Sequence, residues 1–226
     1  MSEIVFEGVS HRFEAETVVD DVSLRLGEHR IGIVGANGSG KSTLARMING
    51  LVTPTIGRVS VDGLDLARHA REVRRKVGFV FTNADNQIVM PTVREDVAFT
   101  LRRHKLNPAD AAARVEAALE RVGLAELGDR PAHRLSGGQK QLLAIASVLV
   151  AEPAIVVADE PTTLLDARNA RRIGEHFASL EQQLIVVSHH LELLESFDRV
   201  VVMEAGRIVA DDEPRHALDA YRALIG

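Results

Sequence analysis

The sequence predicts an α/β fold with a largely parallel sheet. Apolar segments of strand length alternate with helix-like segments along the chain, which is the pattern of strand–helix–strand units. One of these strands runs directly into a glycine-rich loop that a helix follows. With 226 residues, 46% of them hydrophobic, the chain is large enough for one large domain or for one domain with a subdomain.

The individual elements follow in chain order. Early strands are predicted at Ile4–Phe6, Val18–Leu26 and Arg30–Val34, and a helix is predicted at Lys41–Asn49. Later apolar runs of the buried-strand type are Val77–Phe81, Ile155–Ala158, Leu184–Ser188 and Arg199–Met203.

Two regions complete the pattern. Residues 91–150 are mostly helix-like, and Asn107 with Pro108 suits the cap and first turn of one helix. We therefore expect a helical subdomain over about residues 86–150, inserted into the sheet domain. Ala205-Gly206 predicts a tight hairpin turn into Arg207–Val209.

The glycine loop, residues 35–42, has the sequence GANGSGKS and lies between a strand and a helix, the context that a phosphate-binding loop requires. Its glycines let backbone N–H groups turn inward around phosphates, Lys41 can reach the outer phosphates, and the Ser42 hydroxyl can bind Mg²⁺. The alternative is an ordinary glycine turn beside a lysine. The expected nucleotide contacts are Gly35, Asn37, Gly38, Ser39, Gly40, Lys41, Ser42 and Thr43.

An acidic pair ends one of the apolar strands. Asp159 should lie at the carboxyl edge of the sheet, near the glycine loop, where its carboxylate can hold the shell of a Mg²⁺ ion. Glu160 can point differently and polarise an attacking water. The alternative is a pair of solvated acids at a strand end.

A second anion-binding helix start is predicted far from the first in sequence. Ser136 is placed to cap the apolar helix Leu142–Val150, and Gly137 and Gly138 expose backbone N–H groups beside it. One molecule has no obvious use for two separate phosphate sites on one ligand. A capped helix after a glycine turn, without a ligand, is the alternative.

Together, the three motifs resemble those of the ATP-binding subunits of ATP-binding cassette transporters, over nearly the whole chain. The resemblance implies a P-loop NTPase (RecA-like) cassette, one domain over 1–226, with an N-terminal antiparallel β subdomain and the inserted α-helical subdomain. It implies ATP and Mg²⁺ as ligands. It also implies a second ATPase subunit, identical or different, because the segment Ser136, Gly137, Gly138 and Gln139 of one subunit contacts the γ-phosphate held by the other.

The resemblance extends to four further positions. Phe13 falls where an aromatic ring stacks on adenine, although a core phenylalanine is the alternative. Asp166 matches the aspartate that links the two nucleotide sites across the dimer. His189 matches the histidine that senses the γ-phosphate and joins Glu160 in catalysis, while His190 takes a position where the family often has aspartate.

One departure from the family pattern follows the strand at 77–81. Where the family has a glutamine that touches Mg²⁺ and water, this chain has Thr82, whose shorter side chain could still touch metal or water through its hydroxyl. Gln87 comes five residues later as a candidate nucleotide contact. The segment Asn83–Val97 resembles the ATPases of energy-coupling-factor (ECF) importers, most closely the biotin-transporter branch. This implies a vitamin importer, biotin favoured, or a metal-ion importer. Its expected partners are a transmembrane coupling subunit and a substrate-binding membrane subunit, with this chain on the cytoplasmic face of the membrane.

Composition argues against other classes of function. The formal charge of −5 does not favour nucleic acid as a partner, and the basic residues from Arg68 to Lys76 have the spacing of a solvated helix face. The absence of cysteine excludes disulfides and thiolate metal sites. No signal peptide or 18-residue apolar run is expected, so a membrane role needs a partner.

Three alternatives remain beside the ECF importer. The first is the ATPase of another importer or of an exporter. The second is a cassette acting on DNA or ribosomes, which usually has a long coiled coil between the two motifs or two cassettes, whereas here 95 residues separate Lys41 from Ser136. The third is a lone nucleotide kinase or switch protein, which would not need Ser136–Gln139.

Overall fold

The structure, a computed structural model, describes residues 2–14 and 16–226; Met1 and Ala15 lie outside them. The strands are β1 (Ile4–Phe13), β2 (Glu16–Leu26), β3 (Arg30–Gly35), β4 (Ile56–Val61), β5 (Leu64–Asp65), β6 (Val77–Val80), β7 (Ile155–Asp159), β8 (Gln183–Val187), β9 (Arg199–Glu204) and β10 (Arg207–Asp212). The helices are α1 (Lys41–Met47), α2 (Leu66–Lys76), α3 (Val93–Leu101), α4 (Pro108–Arg121), α5 (Gly137–Leu149), α6 (Ala167–Ala178), α7 (Leu191–Leu194) and α8 (Pro214–Ile225). Short 3₁₀ turns lie at Ala84–Asn86, Ala125–Leu127 and Ala132–Arg134.

The chain divides into two compact units. The first unit comprises Met1–Gly78, Ala154–Glu160 and Glu181–Gly226, and the second comprises Phe79–Pro153 and Pro161–Leu180. The helical subdomain expected over 86–150 lies within the second unit, which also includes α6. No helix among the described residues is long and apolar enough to cross a membrane.

Two sheets form the first unit's framework. An antiparallel sheet has the order β2-β1-β4-β5, and a second sheet has the order β10-β9-β3-β8-β7-β6. In the second sheet β3 pairs in parallel with β8 and β9, and β7 pairs in parallel with β8, while β9 and β10 form the predicted hairpin. The prediction of an α/β fold with a largely parallel sheet is confirmed.

The parallel register places the ends of three strands at one edge of the sheet. Ile33 lies opposite Val187, and Val187 lies opposite Asp159, so β7 and β8 end at the same level and β3 runs two residues further, to Gly35. These strands are apolar and almost entirely buried, which is typical of parallel strands covered on both faces. The segments that follow the strands, including the glycine loop, therefore begin at a common edge.

The second unit is built around α5. This helix is buried over Gln141–Leu149, and α3 and α4 pack against it. Asn107 caps α4 with Pro108 in its first turn, as predicted. The structure thus places one capped helix, α5, at the centre of the unit, with Ser136 and Gly137 exposed at its start.

Candidate active site

The glycine loop connects β3 to α1 and encloses the side chain of Lys41. The lysine is 6% exposed, and its Nζ donates a hydrogen bond to the backbone oxygen of Ala36 at 2.8 Å. Gly40 has a φ of +95°, and a Cβ atom there would come within 2.4 Å of the Val18 carbonyl oxygen, so only glycine fits. The buried hydroxyl of Ser39 has no hydrogen-bond partner among the described residues. A buried ammonium and a buried hydroxyl with unused bonding capacity, both in this loop, fit a phosphate group.

The charge of Lys41 depends on the acidic strand end. Burial lowers the pKa of Lys41 below its ordinary value, while the carboxylates of Glu160 and Asp159 oppose that shift. A bound phosphate would favour the ammonium form in the same way, because an opposite charge stabilises the charged state.

Ser42 and Asp159 meet as predicted for a metal site. Asp159 is fully buried at the end of β7, and the Ser42 hydroxyl donates to its Oδ1 atom at 2.6 Å. A hydroxyl and a carboxylate are the hard oxygen ligands that Mg²⁺ prefers, and this metal usually takes only one or two carboxylates and completes its shell with water and phosphate oxygens. No group of three or more His, Cys, Asp or Glu residues that could hold a metal occurs within residues 2–14 and 16–226. The donor set therefore fits Mg²⁺ held together with a nucleotide.

Arg46 is a member of this cluster that the sequence analysis missed. Its Nη2 atom donates to the Oδ2 atom of Asp159 at 2.9 Å. Arg46 lies four residues after Ser42 on α1, and side chains at this spacing share one helix face. This spacing is the signal in the sequence that could have identified it.

Glu160 and His189 form a second pair at the same sheet edge. Glu160 follows β7, and its Oε2 lies 2.8 Å from Nδ1 of His189, which follows β8 and Ser188. Glu160 has a φ of 50°, an unfavourable value for a residue with a side chain, and its backbone N–H is held by the Val187 carbonyl oxygen at 2.9 Å. The ring of His190 lies 4.3 Å from that of His189. The acid expected to act as base is therefore placed in contact with the expected sensor histidine.

The Ser136 turn in the second unit is a capping box, which confirms the predicted cap. The Ser136 hydroxyl accepts from the Gln139 N–H at 3.3 Å, and the Gln139 side-chain oxygen accepts from the Ser136 N–H at 2.9 Å. Gln139 is therefore engaged in shaping the turn. The γ-phosphate contact expected for Ser136–Gln139 stays a prediction.

Asp166 caps α6, and Asn169 of the same helix reaches the Ser136 turn. The Asp166 carboxylate accepts from the backbone N–H of Asn169 at 2.8 Å and from its side-chain amide at 3.0 Å. A Cβ atom on Gly138 would lie 2.4 Å from that amide group. Asn169, absent from the sequence analysis, thus joins Asp166 to Gly138; the role of Asp166 across a dimer stays a prediction.

Thr82 and Gln87 lie in the second unit. Thr82 follows β6 by two residues and is half-buried. The side-chain oxygen of Gln87 accepts from the Phe81 N–H at 3.2 Å, and its amide nitrogen donates to the Ala144 carbonyl oxygen at 3.2 Å. Gln141, missed from the sequence, donates to the Phe81 carbonyl oxygen at 3.1 Å. The two glutamines therefore fix the residue before Thr82 to α5, and direct contacts of Thr82 with metal and of Gln87 with nucleotide stay predictions.

Phe13 ends β1 in the first unit and is 52% exposed. Its ring meets the ring of His11 edge to face, with centroids 4.5 Å apart. A residue this exposed is not the core phenylalanine of the alternative interpretation. Stacking on adenine stays a prediction.

A groove of about 360 Å³ lies on the second unit. Its lining residues are Asp85, Ile88, Val89, Met90, Pro91, Ala132 and His133. Asp96 holds the backbone of two of these lining residues. The sequence analysis named Asp96 only as part of a segment. Asp96 is 3% exposed, and its Oδ1 accepts from the Val89 and Met90 N–H groups at 2.8 and 3.1 Å.

A glycine loop at the end of a parallel strand, with an acidic strand end beside its lysine, defines a nucleotide-binding P-loop protein. The family model described as ABC transporter matches residues 19–163. The chain belongs to this family and is an ABC transporter ATP-binding protein.

Relatives of similar length support the assignment. A putative ABC transporter ATP-binding protein of Deinococcus radiodurans is 55% identical over 214 residues, 95% of each chain. The biotin transport ATP-binding protein BioM of Rhizobium etli is 44% identical over 221 residues, 98% of each chain. The energy-coupling factor transporter ATP-binding protein EcfA1 of Caldanaerobacter subterraneus is 41% identical over 214 residues, 92% of this chain and 77% of that one.

Solved structures show the same fold. CbiO1 of Clostridium perfringens, part of the ABC transporter complex cbiONQ, has a TM-score of 0.86 and 31% identity over 98% of this chain and 92% of its own. An ATP-binding cassette solved as a post-hydrolysis dimer with ADP and Pi has a TM-score of 0.85 and 26% identity over 94% of this chain and 99% of its own.

Proposed function

We propose that this chain is the ATP-hydrolysing subunit of an ECF-type importer, with biotin as the favoured substrate. The observation that carries the ATPase proposal is the meeting of Lys41, Ser42, Asp159 and Glu160 at the carboxyl ends of β3 and β7. The similarity to BioM over 98% of both chains supports biotin, and the similarity to EcfA1 supports the ECF class. Metal-ion import is the second candidate, because the chain is also 44% identical over 208 residues to a cobalt import ATP-binding protein, CbiO of Syntrophus aciditrophicus.

The chemistry follows from residues that the structure brings together. Lys41 binds the outer phosphates, and Ser42 and Asp159 would hold a Mg²⁺ ion, which would supply positive charge to neutralise the phosphate oxygens. Glu160 orients a water for in-line attack on the γ-phosphate and accepts its proton, while the contact at 2.8 Å with His189 holds the Glu160 carboxylate in place.

The reaction also needs a second ATPase subunit. Ser136 presents a second capped helix start, and one ligand does not need two separate phosphate sites from the same molecule. We infer that Ser136–Gln139 of one subunit closes over ATP held by its neighbour, either a second copy or a different chain. The cassette solved as a dimer with ADP and Pi supports this arrangement.

The expected membrane partners are a transmembrane coupling subunit and a substrate-binding subunit, with this chain bound at the cytoplasmic face. The groove beside Val89, which is 61% exposed, is the candidate surface for short helices of the coupling subunit.

The test combines purification with transport. The tagged chain is isolated from detergent-solubilised membranes of its own host, and the assembly is reconstituted into liposomes. We expect ATP-dependent uptake of labelled biotin, with no uptake in the matched Glu160→Gln assembly. Uptake of cobalt instead of biotin would agree with the ATPase role but would contradict biotin as the transported substrate. Purification without any membrane protein would contradict the transport role.

A further inference from the structure

Two side chains on α1 bond to different oxygens of the Asp159 carboxylate. Oδ1 accepts from the Ser42 hydroxyl at 2.6 Å, and Oδ2 accepts from Nη2 of Arg46 at 2.9 Å. Ser42 and Arg46 are one helical turn apart, so one helix face supplies both contacts. The Ser42 hydroxyl and the Arg46 guanidinium therefore bond to different oxygens of one carboxyl group.

The burial of Asp159 makes its contact with the Arg46 guanidinium electrostatically important. Asp159 is fully buried, and a buried carboxylate needs a compensating charge because it has lost its water. The side chain of Arg46 is 42% exposed, so its charge is partly screened but stays within hydrogen-bond distance of the buried acid. A cation beside Asp159 reduces the negative charge that the carboxylate presents to any other cation.

We propose that Arg46 is a positioning residue that sets how strongly Mg²⁺ contributes to nucleotide binding. The inference rests on the proposed Mg²⁺ site at Ser42 and Asp159. The guanidinium fixes Oδ2, which keeps Oδ1 turned towards Ser42, and its positive charge weakens the attraction between Asp159 and a divalent cation. A neutral residue at this position removes that competing positive charge.

The test measures binding without hydrolysis. ADP affinity of the full chain is determined by calorimetry in Mg²⁺ and in EDTA. The dissociation constant in EDTA divided by the dissociation constant in Mg²⁺ gives the contribution of the metal. In Arg46→Gln, which removes the charge but keeps an amide donor for Oδ2, we expect this ratio to rise about three- to tenfold. A charge within about 4–6 Å shifts an ionic equilibrium by about one to three powers of ten, and the partial exposure of Arg46 reduces the effect.

Two controls separate charge from structure. Arg46→Lys keeps a positive charge near Asp159, and its ratio should stay within about twofold of that of the unmodified protein, because the charge is the main cause of the expected effect. Arg71→Gln removes an exposed arginine from α2 in the same unit and should leave the ratio unchanged.

Several results would overturn the inference. An unchanged ratio in Arg46→Gln, or an equal change in the Gln and Lys variants, would show that the charge of Arg46 does not set the metal's contribution. Arg46→Met provides a second neutral variant, and failure of both neutral variants to fold would show a structural requirement instead. If Mg²⁺ has no effect on ADP binding by the unmodified chain, the proposed metal site fails together with the inference.

Discussion

Replacing Asp96 should destabilise the protein more than replacing any exposed acid. Its Oδ1 accepts from the Val89 and Met90 N–H groups, and its Oδ2 accepts from the Ser147 hydroxyl at 2.9 Å. Hydrogen bonds to a charged group contribute about 1.5–3 kcal/mol each, but water can replace the contacts in the partly exposed Val89–Met90 segment. We therefore expect Asp96→Ala to lower the free energy of unfolding by about 3 kcal/mol, mostly from the buried Ser147 contact and the loss of the anchored backbone.

Calorimetry provides the measurement. For a chain of this size each kcal/mol lowers the melting temperature by about 2–4 °C, so the expected decrease is about 6–12 °C. Asp96→Asn keeps one oxygen that can accept from the two N–H groups, so it should lower the melting temperature less than Asp96→Ala does. Combining Asp96→Ala with Ser147→Ala gives a double-mutant cycle that isolates their hydrogen bond, because alanine cannot make a new bond to Ser147. Asp85→Ala is the control, because Asp85 is exposed and its pair with Lys140 contributes about 1 kcal/mol at most.

The reasoning is refuted if Asp96→Ala melts no lower than Asp85→Ala. An equal decrease in melting temperature in Asp96→Asn and Asp96→Ala would also contradict it, because the asparagine side-chain oxygen should still accept from the Val89 and Met90 N–H groups.

Three further predictions concern the first unit's catalytic groups and a histidine of the second unit. Glu160→Gln should retain ATP affinity, lower phosphate release by at least about 100-fold and accumulate closed dimers on size exclusion; unchanged turnover would exclude Glu160 as the base. Lys41→Ala should abolish ATP binding in a calorimetric titration, and an unaltered isotherm would contradict its contact with phosphate. Burial, together with the nearby Arg172 guanidinium, lowers the pKa of His176 below its ordinary value. The unfolded chain then binds the extra proton, so stability should fall as pH drops through about 6.5 towards the folded-state pKa. His176→Gln should remove that part of the pH dependence of the melting temperature, and an identical pH profile would show that His176 is not its source.

Local patterns predicted the parts of the molecule in which neighbours in sequence create the structure. The cap at Ser136 was predictable because a capping box is closed within four residues, and Asn107 with Pro108 was predictable for the same reason. Ser42 and Asp159 were expected to meet because a parallel sheet brings strand ends to one edge, and the contact at 2.6 Å is consistent with that expectation.

The missed contacts join residues that are far apart in sequence. Arg46 could be placed on the helix face of Ser42, but nothing local indicates that it bonds to an acid 113 positions later. Gln141 likewise bonds to Phe81 across 60 positions. The spacing of Val93, Val97 and Leu101 does place Asp96 beside an apolar stripe, but its partners depend on how α3 packs against α5.

The close approach of Asn169 to Gly138 affects how mutagenesis of this turn should be interpreted. Even a methyl group at position 138 would displace the Asn169 amide, and that amide is bonded to the Asp166 carboxylate. A Gly138→Ala substitution would therefore change the Ser136 turn and also disturb the hydrogen bond between Asn169 and Asp166. Loss of activity in that variant would not reveal which of the two changes is responsible. Substitution of Asn169 by a smaller residue, introduced alongside, would relieve the crowding and allow the two effects to be separated.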